Sequence, residues 1–231
     1  AASGVIQLAT ELDGALSDTS PRVRQAALEA LASYRGRASA EPHFVKLLGH
    51  DKWTYVRIAA ANALSNQPHN PVSDKALFVA VNGDDSNRVV VAALAALGKR
   101  NSPATIDPLL VVASDATLAT EVRTAAILAL GQLCAKKAAP LLYKLAYRVV
   151  KPQLPYDKPL GLAALSALGD IKPPDPAVKL APLTQKSARV PYQVRMIARD
   201  AIARDGKCGA GLGRPPRSRP KGKMVRRESP N

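Results

Sequence analysis

Aromatic residues are scarce in this 231-residue chain: one Trp, two Phe and six Tyr, together 4% of the sequence. Hydrophobic residues nonetheless reach 47%, so any core must be built from Ala, Leu, Val and Ile. Small side chains of that kind suit helices whose axes approach closely. Cysteine is nearly absent as well. Cys134 and Cys208 make neither a zinc spacing nor a CxxC motif. They are expected as a half-buried thiol closing a helix and an exposed thiol, with a disulfide pinning the tail as the alternative. No run of about 18 uncharged apolar residues occurs, which excludes a membrane-spanning helix. No secretory signal is visible. The chain opens at Ala1 and runs directly into VIQLATELDGAL, a helical pattern without a clear cap. That reads as a processed or trimmed start; the cytoplasm is favoured, with an exported product still open.

Catalytic signatures are missing too. There is no GxSxG, Walker loop, dinucleotide fingerprint or HExxH. His43, His50 and His69 have no acidic or cysteine ligand repeating around them, so they read as surface residues, not a metal site. The GxGxG string at Gly209, Gly211 and Gly213 has no strand before it and no helix after it. No enzyme activity, cofactor or metal is expected.

What is present is a repeat. Asp18, Asp51 and Asp84 lie 33 residues apart. Val23, Val56, Val89 and Val122 share that spacing, as do Leu31, Leu64, Leu97 and Leu130. The segments VRQAALEAL, VRIAAANAL, VVVAALAAL and VRTAAILAL are four copies of one helix. Self-similarity at such a period marks a solenoid in which each unit stacks on its neighbours. The chain is therefore expected to be all-α, an α-solenoid of about six antiparallel helix pairs over residues 1–205. Residues 206–231 form a basic tail, expected to be disordered or to order only on a partner.

Each unit reads as helix A, turn, helix B. The pairs are Val5–Leu16 with Pro21–Tyr34, Glu41–Gly49 with Thr54–Ser65, Ser73–Val81 with Asn87–Lys99, and Ala104–Ala113 with Ala119–Cys134. Unit five places helix A over Ala138–Val150. Leu168 follows Leu130 by 38 residues, so five residues are inserted. Pro152, Pro155 and Pro159 are expected to keep that insert from extending a helix. Unit six takes Val178–Thr184 and Gln193–Arg204.

The net charge of +15 is unevenly spread. Residues 1–134 hold twelve Lys/Arg and twelve Asp/Glu, residues 135–206 thirteen and five, and residues 207–231 eight and one. The C-terminal half is strongly basic, which points to an acidic partner at that end.

The motif D-x-x-x-x-VR-x-x-A-x-x-AL resembles HEAT repeats, specifically the bacterial type found in phycobilin lyase subunits. The resemblance covers residues 5–205. Val90 departs from it, standing where other units have Arg24, Arg57, Arg123 and Arg195, and so does Gly161 in unit five. It implies an α-solenoid scaffold and no particular activity, because most members bind macromolecules.

Three sets of residues follow. The recurring Asp18, Asp51 and Asp84 with Arg24, Arg57, Arg123 and Arg195 suit a structural ladder, the Asp capping helix B and the Arg reaching carbonyls or the Asp of an adjacent unit. On a helical wheel Val23, Ala27, Ala30 and Leu31 face the core. Opposite them runs a stripe through Ile58, Val91, Ala95, Leu128, Leu162 and Met196, which HEAT arrays place on their concave face. It carries no Lys or Arg and suits an amphipathic helix of a protein partner. The third set is a basic anchor: Lys151, Tyr156 and Lys158 in the unit-five insert, then Arg214, Arg217, Arg219, Lys221, Lys223, Arg226 and Arg227 in the tail. The expected function is a non-catalytic scaffold or subunit of a larger assembly, docking a protein partner along the stripe. A nucleic-acid-binding module using the tail and units five and six is the alternative; the family resemblance adds a lyase-like chromophore chaperone.

Overall fold

A computed structural model describes residues 11–33, 40–187, 190–204 and Cys208. Among these, all regular structure is helical. Helix α1, described over residues 11–15, precedes α2 (Pro21–Ala32). Unit two pairs α3 (Glu41–His50) with α4 (Thr54–Ser65), and unit three α5 (Pro71–Gly83) with α6 (Asn87–Lys99). Unit four pairs α7 (Ile106–Ser114) with α8 (Thr120–Gln132), unit five α9 (Ala139–Arg148) with α10 (Asp157–Ile171), and unit six α11 (Pro176–Thr184) with α12 (Tyr192–Ala203). Short 3-10 turns, Pro103–Thr105 and Lys136–Ala138, lead into α7 and α9.

Every helix B packs on the next, from α2 through α4, α6, α8 and α10 to α12. Among the A helices, α3 and α5 alone approach each other comparably. The B helices form the continuously packed layer of the stack, consistent with an α-solenoid. Composition explains the asymmetry. Ala27, Ala60, Ala93, Ala126, Ala164 and Ala198 occupy one recurring position and are all buried. Gly98, Gly131 and Gly169 occupy another, each against the Ala of the next helix B: a Cβ there would lie 2.9 Å from Cα of Ala129, 2.9 Å from Cα of Ala167 and 3.0 Å from Cα of Ala201. The core forms two clusters that share α6, Ala93 and Leu97 facing units one and two while Val90 and Leu94 join units four to six.

Several expectations need correction. Val23 is 39% exposed, whereas Val56 and Val89 are fully buried; the buried residues of α2 are Ala27, Leu28 and Leu31. Pro159 does not stop a helix but sits in the first turn of α10, where its missing N–H would have had no helical partner. Cys134 and Cys208 are not free thiols: they are joined by a disulfide with Cα atoms 5.5 Å apart. Cys134 follows the end of α8 in the left-handed region at φ 55°, as Asn101 follows α6 at 54° and Lys172 ends α10 at 45°. Three successive B helices thus end alike, and the bridge ties the segment after α12 back across unit five to unit four. The remainder of the tail expectation lies outside the described residues.

Candidate functional site

The B-helix face carries the apolar stripe. Ile58, Val91 and Leu162 are half-buried, Ala95 is exposed, and Leu128 and Met196 are 39% and 45% exposed. Their neighbours one helical step away, such as Ala92 and Leu94, are buried between units. The stripe is therefore the rim of the core turned outward, apolar and partly solvated. Val91 and Ala95 line a shallow groove of about 400 Å³ with Ile58, Asn87, Arg88 and Glu121. Arg88 also lines the adjoining groove beside Tyr55, Gln25 and Glu29. It is exposed and makes no ion pair among the described residues. Sequence reasoning missed it because it lies one wheel position outside the stripe. Its charge sits where polar units one and two meet the apolar middle.

The other edge of the units holds the Asp and Arg positions. Arg24 Nε donates to Asp51 Oδ2 at 2.7 Å and its Nη2 to Oδ1 at 3.1 Å. Arg57 repeats this on Asp84 at 2.8 and 2.9 Å and adds Asp85 at 2.6 Å. Each Arg also donates to its own turn, Arg24 to the Asp18 carbonyl and Arg57 to that of Asp51. The Asp side chains do not cap the helix. They accept from the amide two residues on, Ser20, Trp53 and Ser86, closing the turn before it. Buried Val90 sends nothing to unit four, where Asp115 binds Thr117 instead. Arg123 donates to the Ala113 carbonyl at 3.3 Å and stacks on Tyr156, 5.5 Å from its ring centre. Arg195 donates to the Val190 carbonyl and stacks on Tyr192.

The unit-five insert is less solvated than its composition implies. Lys151 and Lys158 are exposed, but Tyr156 is half-buried against Arg123. Asp157 is 1% exposed on its side chain and accepts from the amides of Gln153 and Leu154 at 2.8 and 3.0 Å. The tail residues Arg214, Arg217, Arg219, Lys221, Lys223, Arg226 and Arg227 lie outside the described residues.

Burial opposes ionisation of Asp157, yet the two amides and Arg148 outweigh it and hold the carboxyl below the ordinary carboxylate value. At Asp84 the same opposition is overcome by Arg57 and the Ser86 amide. A carboxyl with a depressed pKa in the folded state stabilises the fold above its unfolded value and loses that contribution as pH falls through the folded one. Stability measured by urea melts is thus expected to be level above about pH 5 and to decline below about pH 4. Asp157→Asn should flatten that decline; an unchanged acid slope would show that the insert contributes nothing to it.

A charged network escaped the sequence reading altogether. The Arg100 side chain is fully buried, with Nε 2.7 Å from Asp74 Oδ1 and Nη1 2.7 Å from the Leu64 carbonyl. Glu41 lies 3.5 Å from its Nη2 and accepts from Ser73 Oγ and Asn70 Nδ2. His69 Nδ1 is 2.9 Å from Asp74 Oδ2, so this histidine borders the network instead of standing free on the surface. Its carboxylates Glu41 and Asp74 lie one repeat period apart, but Arg100 does not recur: Gln67 and Leu133 stand one period to either side of it. A cleft of about 570 Å³ lies between α3 and α5 on the A layer, lined by Leu48, Val72, Val79, Asp84 and Asp85 among others.

Among the described residues no group of three His, Cys, Asp or Glu could hold a metal ion, and no helix is long and apolar enough to cross a membrane. A search of curated proteins returned no match. A family model of HEAT repeats matches residues 9–90 and again residues 73–151. Those overlapping spans take in the Asp and Arg turns of units one to four, the alanine-lined helices α2, α4, α6 and α8, and α9. With more than half of the chain matched by that repeat and the helices stacked accordingly, the protein belongs to the HEAT-repeat family.

Proposed function

We propose that this chain is a protein-docking scaffold whose B-helix face holds an apolar helical segment of a partner protein. HEAT repeats are commonly protein-interaction scaffolds and typically non-catalytic. The observation that carries the proposal is the stripe itself. Ile58, Val91, Leu128, Leu162 and Met196 recur on successive B helices and stay partly solvated. An amphipathic helix laid along it would remove the remaining apolar surface from water, at about 25 cal/mol per Å² buried. The A-layer cleft is larger but confined to one helix pair, whereas the stripe runs through five units.

Replacing Val91, which packs partly against the core, and the exposed Leu128 with Asp introduces two charges into that surface. Immobilised protein incubated with lysate of the source cells should recover a partner that the double variant does not, with far-UV circular dichroism unchanged. Val79→Asp and Val111→Asp alter more exposed valines of the A layer and should leave recovery intact. Recovery by the Val91/Leu128 variant, or its loss in the A-layer variants, would overturn the assignment to the B face.

A further inference from the structure

The Cys134–Cys208 bridge holds a thinly buried unit. Helix α12 buries three residues, Val194, Ala198 and Ala201, where α6 and α8 bury eight each. Two of the three are alanines, so little apolar area keeps α12 on α10. At the C-terminal edge of that contact Arg204 Nη1 lies 3.2 Å from Asp170 Oδ1, and Lys172 Nζ donates to the Arg204 carbonyl at 2.6 Å. Lys172 is exposed and the Arg204 side chain is 39% exposed, so solvent screens both contacts. The covalent link is the strongest tie that remains. Cys208 lies with its sulfur 3.0 Å from the Asp170 carbonyl oxygen, and Cys134 holds it from the turn after α8.

Neither cysteine belongs to the core. Both are half-buried and both lie outside the helices. A bridge at that depth is open to a reductant while the helices around it stay folded. Units two to five keep their own buried positions without it, Leu64, Leu97, Leu130 and Leu168 among them. Because each unit of a solenoid contacts only its neighbours, opening unit six leaves the distant units as they are.

From this we propose that the Cys134–Cys208 disulfide is a redox latch: a dithiol reductant opens it and frees unit six from α10, while units two to five stay folded. The reductant's thiolate attacks one sulfur, forming a mixed disulfide and expelling the other cysteine as a thiolate that takes up a proton. The reductant's second thiol then displaces the remaining cysteine and closes its own disulfide. Two electrons and two protons pass to the cysteine pair, and the dithiol is oxidised. Release uncovers the side of α10 where Gly169 meets Ala201. Met196, the last residue of the stripe, sits on α12. On the docking reading proposed above, the latch therefore also sets whether the stripe runs through five units or four.

The test is hydrogen exchange of the full chain read by mass spectrometry, with and without excess dithiothreitol. On reduction, exchange in α11 and α12 should accelerate about a hundredfold, while α4 and α6 keep their oxidised rates. Iodoacetamide added after the reductant should alkylate both cysteines of the folded protein. Cys134→Ser with Cys208→Ser should exchange like the reduced chain and ignore dithiothreitol. The proposal is overturned if α11 and α12 exchange at the same rate in both states. It is equally overturned if α4 and α6 accelerate as much, which would make the bridge a staple of the whole fold. Alkylation that waits for urea would also sink it, because the bridge would then be closed to reductant in the native protein. Each readout is taken without a partner, so the latch and the docking face fail separately.

Discussion

Arg100→Met should lower the unfolding free energy by about 3–5 kcal/mol, the range for removing one partner from a buried ion pair. The guanidinium has no solvent access and bridges units two and three, reaching Asp74 of α5, Glu41 of α3 and the carbonyl of Leu64 near the end of α4. Met fills much of the same volume, so lost packing is a minor part of the effect. The larger part is two carboxylates left facing each other in the interior, together with a helix-terminal carbonyl deprived of its donor. Urea denaturation of the variant reads the loss directly. A triple variant that also carries Glu41→Leu and Asp74→Leu should regain most of it, because replacing a whole buried charge set with apolar residues is often neutral or better. A loss below about 1 kcal/mol in the single variant would mean that water reaches the site and screens it.

The network's position gives this change reach beyond its own energy. α6 supplies residues to both core clusters, and Arg100 immediately follows it. Because units of a solenoid contact only their neighbours, a weakened junction divides the array into parts that can unfold separately. A broadened or two-step transition in Arg100→Met would be the sign that the fold's cooperativity passes through this residue.

Architecture was legible because it repeats. Val56, Val89 and Val122 each bury against equivalent neighbours, so one spacing identified the core face of helix B for several units at once. The same spacing located Thr54–Ser65 and Asn87–Lys99 to the residue. What occurs once left no such trace. Arg100 meets partners 26, 36 and 59 residues away; the carboxylates Asp74 and Glu41 fall on the period, but no arginine recurs at Gln67 or Leu133 to mark their shared partner. Cys134 and Cys208 lie 74 apart, and only the curl of unit six back over α10 brings them together. Val23 shows the converse error: the pattern assigned it to the core, but burial depends on a neighbouring surface, and Val23 is considerably exposed. The candidate site is less legible still. The stripe and its polarity can be read on a wheel, but Arg88 matters only through the two grooves it joins.

Gly161→Arg, which restores the residue that four other units carry at this position, should destabilise the protein by about 4 kcal/mol or more, in the exceptional tail of single substitutions. Consensus replacement ordinarily stabilises repeat proteins, so the expected sign is opposite to what sequence statistics suggest. The reason is local. A Cβ on Gly161 would come within 2.8 Å of the Leu145 carbonyl oxygen and still closer to Cγ2 of Val149. Helix α9 packs closely on α10 here, and Asp157 holds the insert between them through the Gln153 and Leu154 amides. The space that Arg24 and Arg57 use to cross to the next unit is filled by α9 and Val149. Gly161→Ala separates the two contributions. It gains about 1 kcal/mol of helix propensity against a clash with a backbone atom, which overpacking places at about 1–3 kcal/mol. Gly161→Ala should therefore lie between wild type and Gly161→Arg in a thermal melt. An Arg variant as stable as wild type would show that α9 yields, and that unit five can adopt the same ladder geometry as units one and two.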